Sequence, residues 1–225
     1  MRKVFYFLGN IVVMIVAIIL YSLTQQFYFY PSRVKKAFHL SSSSYVVLTV
    51  AVTIGVLLLL AFIYRKQLQK QNKWDFNRKP HWGIRRILVA IAGFLLLTLT
   101  SILLPKLLGI NGDSTSNNQT ILNGILRSAG NFYFPMIVLI APIFEETIFR
   151  GFFFNTFFPQ ETTSSKWLGI LFSGFVFGYI HDPTLTKYLF LYWALGCILA
   201  WTYTTTKDLR YSMIAHMLYN SLGFL

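Results

Sequence analysis

Charge is what this 225-residue chain has least of: Asp, Glu, Lys and Arg together make up 12% of it. Soluble globular domains carry about 25%. With a mean hydropathy of +0.56, that shortage excludes both an ordinary soluble domain and a disordered chain. Cysteine is nearly absent as well. Cys197 stands alone inside an apolar run, which excludes a disulfide framework within the chain and a thiolate metal cluster. It reads as a small apolar residue. The chain has no HExxH, no GxSxG and no Walker loop, so the zincin, serine-hydrolase and P-loop chemistries lack their motifs. No internal repeat is present, and no low-complexity tract beyond Ser41–Ser44.

Acidic residues are the next scarcity: 7 of them face 20 Lys and Arg. The basic residues sit between long apolar runs rather than on a solvated face. This argues for a cytoplasmic membrane surface and against nucleic acid as a partner. Asp75, Asp113, Glu161, Asp182 and Asp208 lie in or beside polar connections, whereas Glu145 and Glu146 do not.

Apolar residues fill the space that charge leaves. A helix needs about 20 apolar residues to cross a bilayer. Val4 to Ser32 contains no charged residue, and its core Val4–Tyr21 reads as a first span. No small-residue cleavage site follows it, so we read it as retained rather than as a signal peptide. Tyr45–Tyr64 is a second span, with its end tyrosines expected at the interfaces. Ile87–Leu104 is a third, expected to close at Pro105. Asn111–Thr120 is a polar loop of turn-forming residues. Further apolar segments run over Phe132–Phe158, Trp167–His181, Tyr188–Thr206 and Tyr211–Leu225. The expected fold is therefore all-α, a polytopic transmembrane bundle of about seven to eight helices. The organisation divides at residue 130: a region of about three spans and a basic connection (1–130), then a second region (131–225).

Orientation follows from Lys and Arg on alternate connections. With the N-terminus inside, the inner side holds Arg2, Lys3, Arg65, Lys66, Lys70, Lys73, Arg78, Lys79, Arg85, Arg86, Arg150, Lys166, Lys207 and Arg210, 14 of the 20. The cytoplasmic N-terminus follows from the positive-inside rule, although Arg33, Lys35 and Lys36 oppose it.

Charges within spans are expensive and mark function. Glu145, Glu146 and Arg150 cluster in one apolar segment. Glu146 and Arg150, at i and i+4, share a helix face and can pair. Glu145 is rotated roughly 100° away, which leaves it free to face a cavity. Two adjacent glutamates with one arginine leave one carboxylate unpaired, unless the cluster is only a packing network. Of the histidines, His39 and His81 sit in polar connections. His181 ends the fifth span, and His216 shares a face with Asn220 at i, i+4. Glutamate and histidine supply general base and acid. Asparagine and imidazole donate to an oxyanion. Glu145, His181 and His216 also make up a zinc ligand set, but they come from three separate helices with no i, i+4 histidine pair, so a metal-free site is favoured over zinc. The FSGFVFG stretch, Phe172–Gly178, points only to close helix packing. The aromatic run Phe152–Phe154 with Phe157 and Phe158 is expected to face the interface or lipid.

Glu145-Glu146-x-x-x-Arg150, Phe177-x-x-x-His181 and His216-x-x-x-Asn220, in that order, resemble the three-motif signature of the CPBP family. These are the type II CAAX prenyl endopeptidase and bacteriocin-processing (Abi) proteins. The resemblance covers roughly Phe134 to Leu222. It implies an intramembrane endopeptidase acting on a membrane-associated protein or peptide. By it, Glu145 activates water with His181, His216 and Asn220 stabilise the oxyanion, and Glu146 and Arg150 support the site. The family is called metalloprotease by convention. It also includes non-catalytic immunity or regulatory proteins, which is the alternative reading. The chain looks bacterial, which implies a plasma-membrane location and a substrate other than a prenylated CAAX protein. A transporter is disfavoured by the absence of repeat symmetry.

Overall fold

The computed structural model describes residues 2–78, 82–110 and 115–224. Lys79, His81, Asp113, Leu225 and the first four residues of the polar segment Asn111–Thr120 lie outside the described residues, as do the side chains of Arg2 and Lys3.

Helices account for the architecture, and no strand occurs among the described residues. In chain order they are α1 (Arg2–Phe29), α2 (Pro31–Ala37), α3 (Ser42–Lys70), α4 (Ile84–Leu107) and α5 (Asn117–Ala129). A composite helix α6 (133–157) follows, then α7 (Thr163–His181), α8 (Lys187–Thr206) and α9 (Leu209–Ser221). Their starts are written locally. Ser41, Ser116, Thr162, Thr186 and Asp208 each turn a side-chain oxygen onto a backbone N–H of the first turn, which satisfies one of the donors a helix start leaves open. Val4–Phe29, Ser42–Lys70, Ile84–Leu107 and the run Asn117–Phe157 are long and apolar enough to cross a membrane. This is an integral membrane protein.

Several sequence expectations change here. Helix α4 runs two residues past Pro105, because a proline in the last turn removes only one hydrogen bond. Asn117–Thr120, expected in a loop, is the first turn of α5. Tyr45 and Tyr64, expected at the interfaces, are buried. Tyr45 donates to the Phe27 carbonyl, and Tyr64 bonds the Tyr203 hydroxyl at 2.8 Å. Phe152, Phe153 and Phe154 are buried too, in the main core with Trp74, Phe76 and Tyr203 rather than facing lipid. Only Phe157, at 40%, is exposed as expected. The last three helices form where the apolar segments predict, but they fall short of the length and apolarity of the other four. Their Ser, Thr and Gly residues serve contact instead.

That contact is close. A Cβ added at Gly178 would stand 2.7 Å from the Trp193 backbone nitrogen, and one at Gly196 would stand 2.8 Å from the Gly174 Cα. Glycine lets α7 and α8 meet backbone to backbone, the small-residue mode of helix association in membranes. Gly178→Ala is therefore expected to lower stability by about 1–3 kcal/mol through overpacking. Thermal unfolding in detergent measures it, and an unchanged midpoint would contradict the contact.

Candidate active site

Helix α6 carries the acidic pair, and its backbone is irregular on both sides of it. Met136–Ile140 and Thr147–Phe152 are π turns flanking the α-helical Ala141–Glu146. The first has a cause in sequence. Ala141 N–H reaches back to the Met136 carbonyl, and the next donor in that register would be Pro142, which has none. The Ile137 carbonyl therefore lacks its helical partner. Asn220 of α9 supplies one: its Nδ2 donates to Ile137 O at 2.9 Å. In the second π turn, Ser173 of α7 donates to the Phe149 carbonyl at 2.6 Å. Such bulges recur at functional sites, and here they expose carbonyls that tie α9 and α7 to the acidic helix.

Glu146 is fully buried, and one of its oxygens carries two bonds. Oε1 accepts from Arg150 Nη1 at 2.8 Å and lies 3.0 Å from His216 Nδ1. Arg150, also fully buried, donates its other Nη to the Gly196 carbonyl at 2.9 Å. Its guanidinium lies over the Phe177 ring, 4.7 Å from the centroid. The i, i+4 pairing expected from sequence is present. The link from Glu146 to His216 was not expected, because the two residues are 70 positions apart. It matters chemically: a carboxylate only accepts, so the proton of that contact sits on Nδ1 and Nε2 becomes the working nitrogen.

His216 Nε2 faces Glu145 Oε2 at 3.8 Å. Glu145 is 8% exposed, so it lies at the edge of the buried cluster and not within it. It does not face an unlined cavity. Tyr21 of α1 donates its hydroxyl to Glu145 Oε1 at 2.6 Å, with its ring stacked on Phe144 at 5.0 Å. Sequence reasoning missed Tyr21, one of 13 tyrosines and far from every motif.

His181 joins through aromatic contact. Its Nδ1 lies 2.8 Å from the Phe177 carbonyl, and its ring stands 4.2 Å from Phe177 and 5.1 Å from Tyr192. Phe177 also meets the His216 ring at 6.0 Å. The first residue of the Phe177-x-x-x-His181 motif is thus the hub between two histidines and an arginine. His39, in the link after α2, is exposed and distant from this cluster in sequence.

Residues 127–222, which hold every one of the three motifs, match the family described as Type II CAAX prenyl endopeptidase Rce1-like. That stretch is similar to the Rce1-like family over less than half of the chain. Among curated proteins, UPF0177 protein YvdC of Lactococcus lactis subsp. lactis (strain IL1403) is 29% identical over 153 residues, 68% of this chain and 57% of that protein. "Putative membrane peptidase YdiL" of Bacillus subtilis (strain 168) is 27% identical over 180 residues, 76% of this chain and 66% of that protein. UPF0177 protein YbdI of the same Lactococcus strain is 36% identical over 89 residues, 40% of this chain and 45% of that protein. The chain therefore spans less than two thirds of the length of these relatives. No solved structure matches it.

Within the matched stretch, a metal would take Glu145, His181 and His216. Glu145 Oε2 and His216 Nε2 do face each other. His181 is held to its own helix through Nδ1 at 2.8 Å from the Phe177 carbonyl, which leaves Nε2 as its one possible ligand atom. Among the described residues no three His, Cys, Asp or Glu side chains converge to hold an ion, whereas catalytic zinc takes three protein ligands. The donors as placed do not fit that set, and no chemical step below runs through a metal.

Proposed function

We propose that the chain is an intramembrane endopeptidase, cleaving a peptide bond of a membrane-associated protein or peptide with water activated at Glu145. The observation that carries this reading is the division of labour between adjacent carboxylates. Glu146 is spent on Arg150 and His216, while Glu145 keeps Oε2 open toward His216 Nε2 at 3.8 Å. The Rce1-like match supports it.

In this mechanism Glu145 Oε2 takes a proton from water as the water oxygen adds to the scissile carbonyl carbon. His181 helps to hold that water. The carbonyl π pair moves onto oxygen. His216, held through Nδ1 by Glu146 and protonated also at Nε2, donates to the resulting oxyanion. Asn220 adds its second amide N–H, since only one is used on Ile137. When the tetrahedral intermediate collapses, the C–N bond breaks and the amine leaves with the proton that Glu145 received. The Arg150 guanidinium balances the charge of the buried pair throughout.

Proteomics of fragments released in cells carrying the wild-type chain, compared with Glu145→Gln, tests the proposal. Fragments present only with the wild type identify the substrate. Identical fragment sets would instead favour an immunity or regulatory role on the same fold. The setting is a bacterial plasma membrane with a cytoplasmic N-terminus. Cysteine substitutions at the exposed Lys73 and Arg78 are then expected to label only from the inner side.

The site is proposed to work without a metal. Purified active protein is expected to hold well under one zinc per chain and to keep its activity after chelation in detergent. Elemental analysis decides: stoichiometric zinc, with activity lost on chelation and restored by zinc, would make Glu145, His181 and His216 ligands.

A further inference from the structure

Glu145 has two oxygens, and the fold treats them differently. Oε2 looks toward His216 Nε2. Oε1 receives the Tyr21 hydroxyl at 2.6 Å. Tyr21 belongs to α1, outside the matched residues 127–222, and it reaches Glu145 across 124 positions of sequence. Its place is well fixed. One turn before it, Ala17 is fully buried, and Met14 is 8% exposed in the same core that holds Phe144 and Ile148. The ring itself lies stacked on Phe144, the residue just before Glu145, with an interplanar angle of 20°. A buried tyrosine hydroxyl needs an acceptor, and the one it takes here is the carboxylate oxygen of Glu145. A hydrogen bond to an ionised oxygen is also of the stronger, shorter kind.

We propose that Tyr21 is a positioning residue of the peptidase site: by holding Oε1 of Glu145 it leaves Oε2 as the oxygen that takes the proton from the attacking water. This rests on the endopeptidase reading. Glutamate has rotatable bonds enough to present either oxygen, or to swing away from His216. One fixed donor removes that freedom, and a proton acceptor displaced by about 1 Å can lose about 10²-fold in rate. The active site is therefore not contained in the three motifs. Helix α1 supplies one wall of it and one of its hydrogen bonds.

The test is Tyr21→Phe, which deletes one oxygen and keeps the ring and its stack on Phe144. Two quantities are measured on folded protein in detergent. The first is kcat and KM on a substrate peptide identified by the proteomics above. The second is the infrared carboxylate band of Glu145, assigned by its loss in Glu145→Gln. The expected result is a kcat lower by about 10–100-fold at nearly unchanged KM, together with a shifted Glu145 band. A merely structural role would lower the melting temperature and leave kcat per folded molecule as it was. A band that stays in place would overturn the proposal, because the contact would then be absent. A shifted band with wild-type kcat would overturn it too, because the contact would then be idle. If the wild-type chain releases no fragment, the peptidase reading fails and the positioning role falls with it. The band separates the two failures, since it still reports whether Tyr21 holds Glu145.

Discussion

Glu145→Gln is expected to lower turnover by about 10²–10⁴-fold, the usual worth of a general base, while the protein still inserts and folds. The substitution is mild in every respect but one. Glutamine matches the volume of the carboxyl, and its carbonyl oxygen can still accept from Tyr21, whose hydroxyl bonds Glu145 Oε1 at 2.6 Å. The buried pair of Arg150 with Glu146 is left intact. What disappears is the ability to receive a proton on the side facing His216. Turnover on an identified peptide and the melting temperature of the same preparation give the two readings. Full activity in Glu145→Gln would remove Glu145 from the mechanism, and loss of folding would make it a structural residue.

Arg150→Ala should act mainly on stability. Glu146 and Arg150 are both fully buried and 2.8 Å apart. Removing one partner of such a pair typically costs about 3–5 kcal/mol, because a charge is left in low dielectric. Two further contacts go with the side chain: the bond to the Gly196 carbonyl and the cation over Phe177. The expected outcome is a sharply lower unfolding midpoint and poor expression, with activity falling alongside. Replacing both partners, Glu146→Gln with Arg150→Met, should recover part of the stability, since a neutral pair strands no charge. An Arg150→Ala protein as stable as the wild type but inactive would move Arg150 from the support of the site into its chemistry.

The two variants differ in how far the sequence could foresee them. The pairing of Glu146 with Arg150 is legible because i, i+4 is a local relation that any helix enforces. The close packing of α7 is legible in the glycines of Phe172–Gly178, whereas the sequence does not mark α8 as its partner. The Glu146–His216 contact and the Tyr21 hydroxyl are not, because they join distant segments and nothing in their neighbours marks the partner. The aromatic run from Phe152 misled for a related reason. A phenylalanine run reads alike whether it meets lipid or protein, and only the arrival of Trp74 and Phe76 from a polar connection decides it. Pro105 misled because a proline is disruptive in mid-helix and nearly harmless in a last turn.

The placement of Arg150 on the same helix as Glu146 also bears on how the chain enters the bilayer during synthesis. A glutamate whose counter-ion sat on another helix would have to cross the insertion machinery bare, at a few kcal/mol. Here the counter-ion comes in the same helical segment, one turn later, so the pair can form as soon as α6 is helical. The segment then enters carrying one uncompensated carboxylate, Glu145, instead of separate opposite charges. His216 and Asn220 are translated some 70 residues later, and only when α9 docks on Ile137 and Glu146 does the acidic helix gain its last partners. A nascent chain halted before α9 is thus membrane-embedded but unarmed.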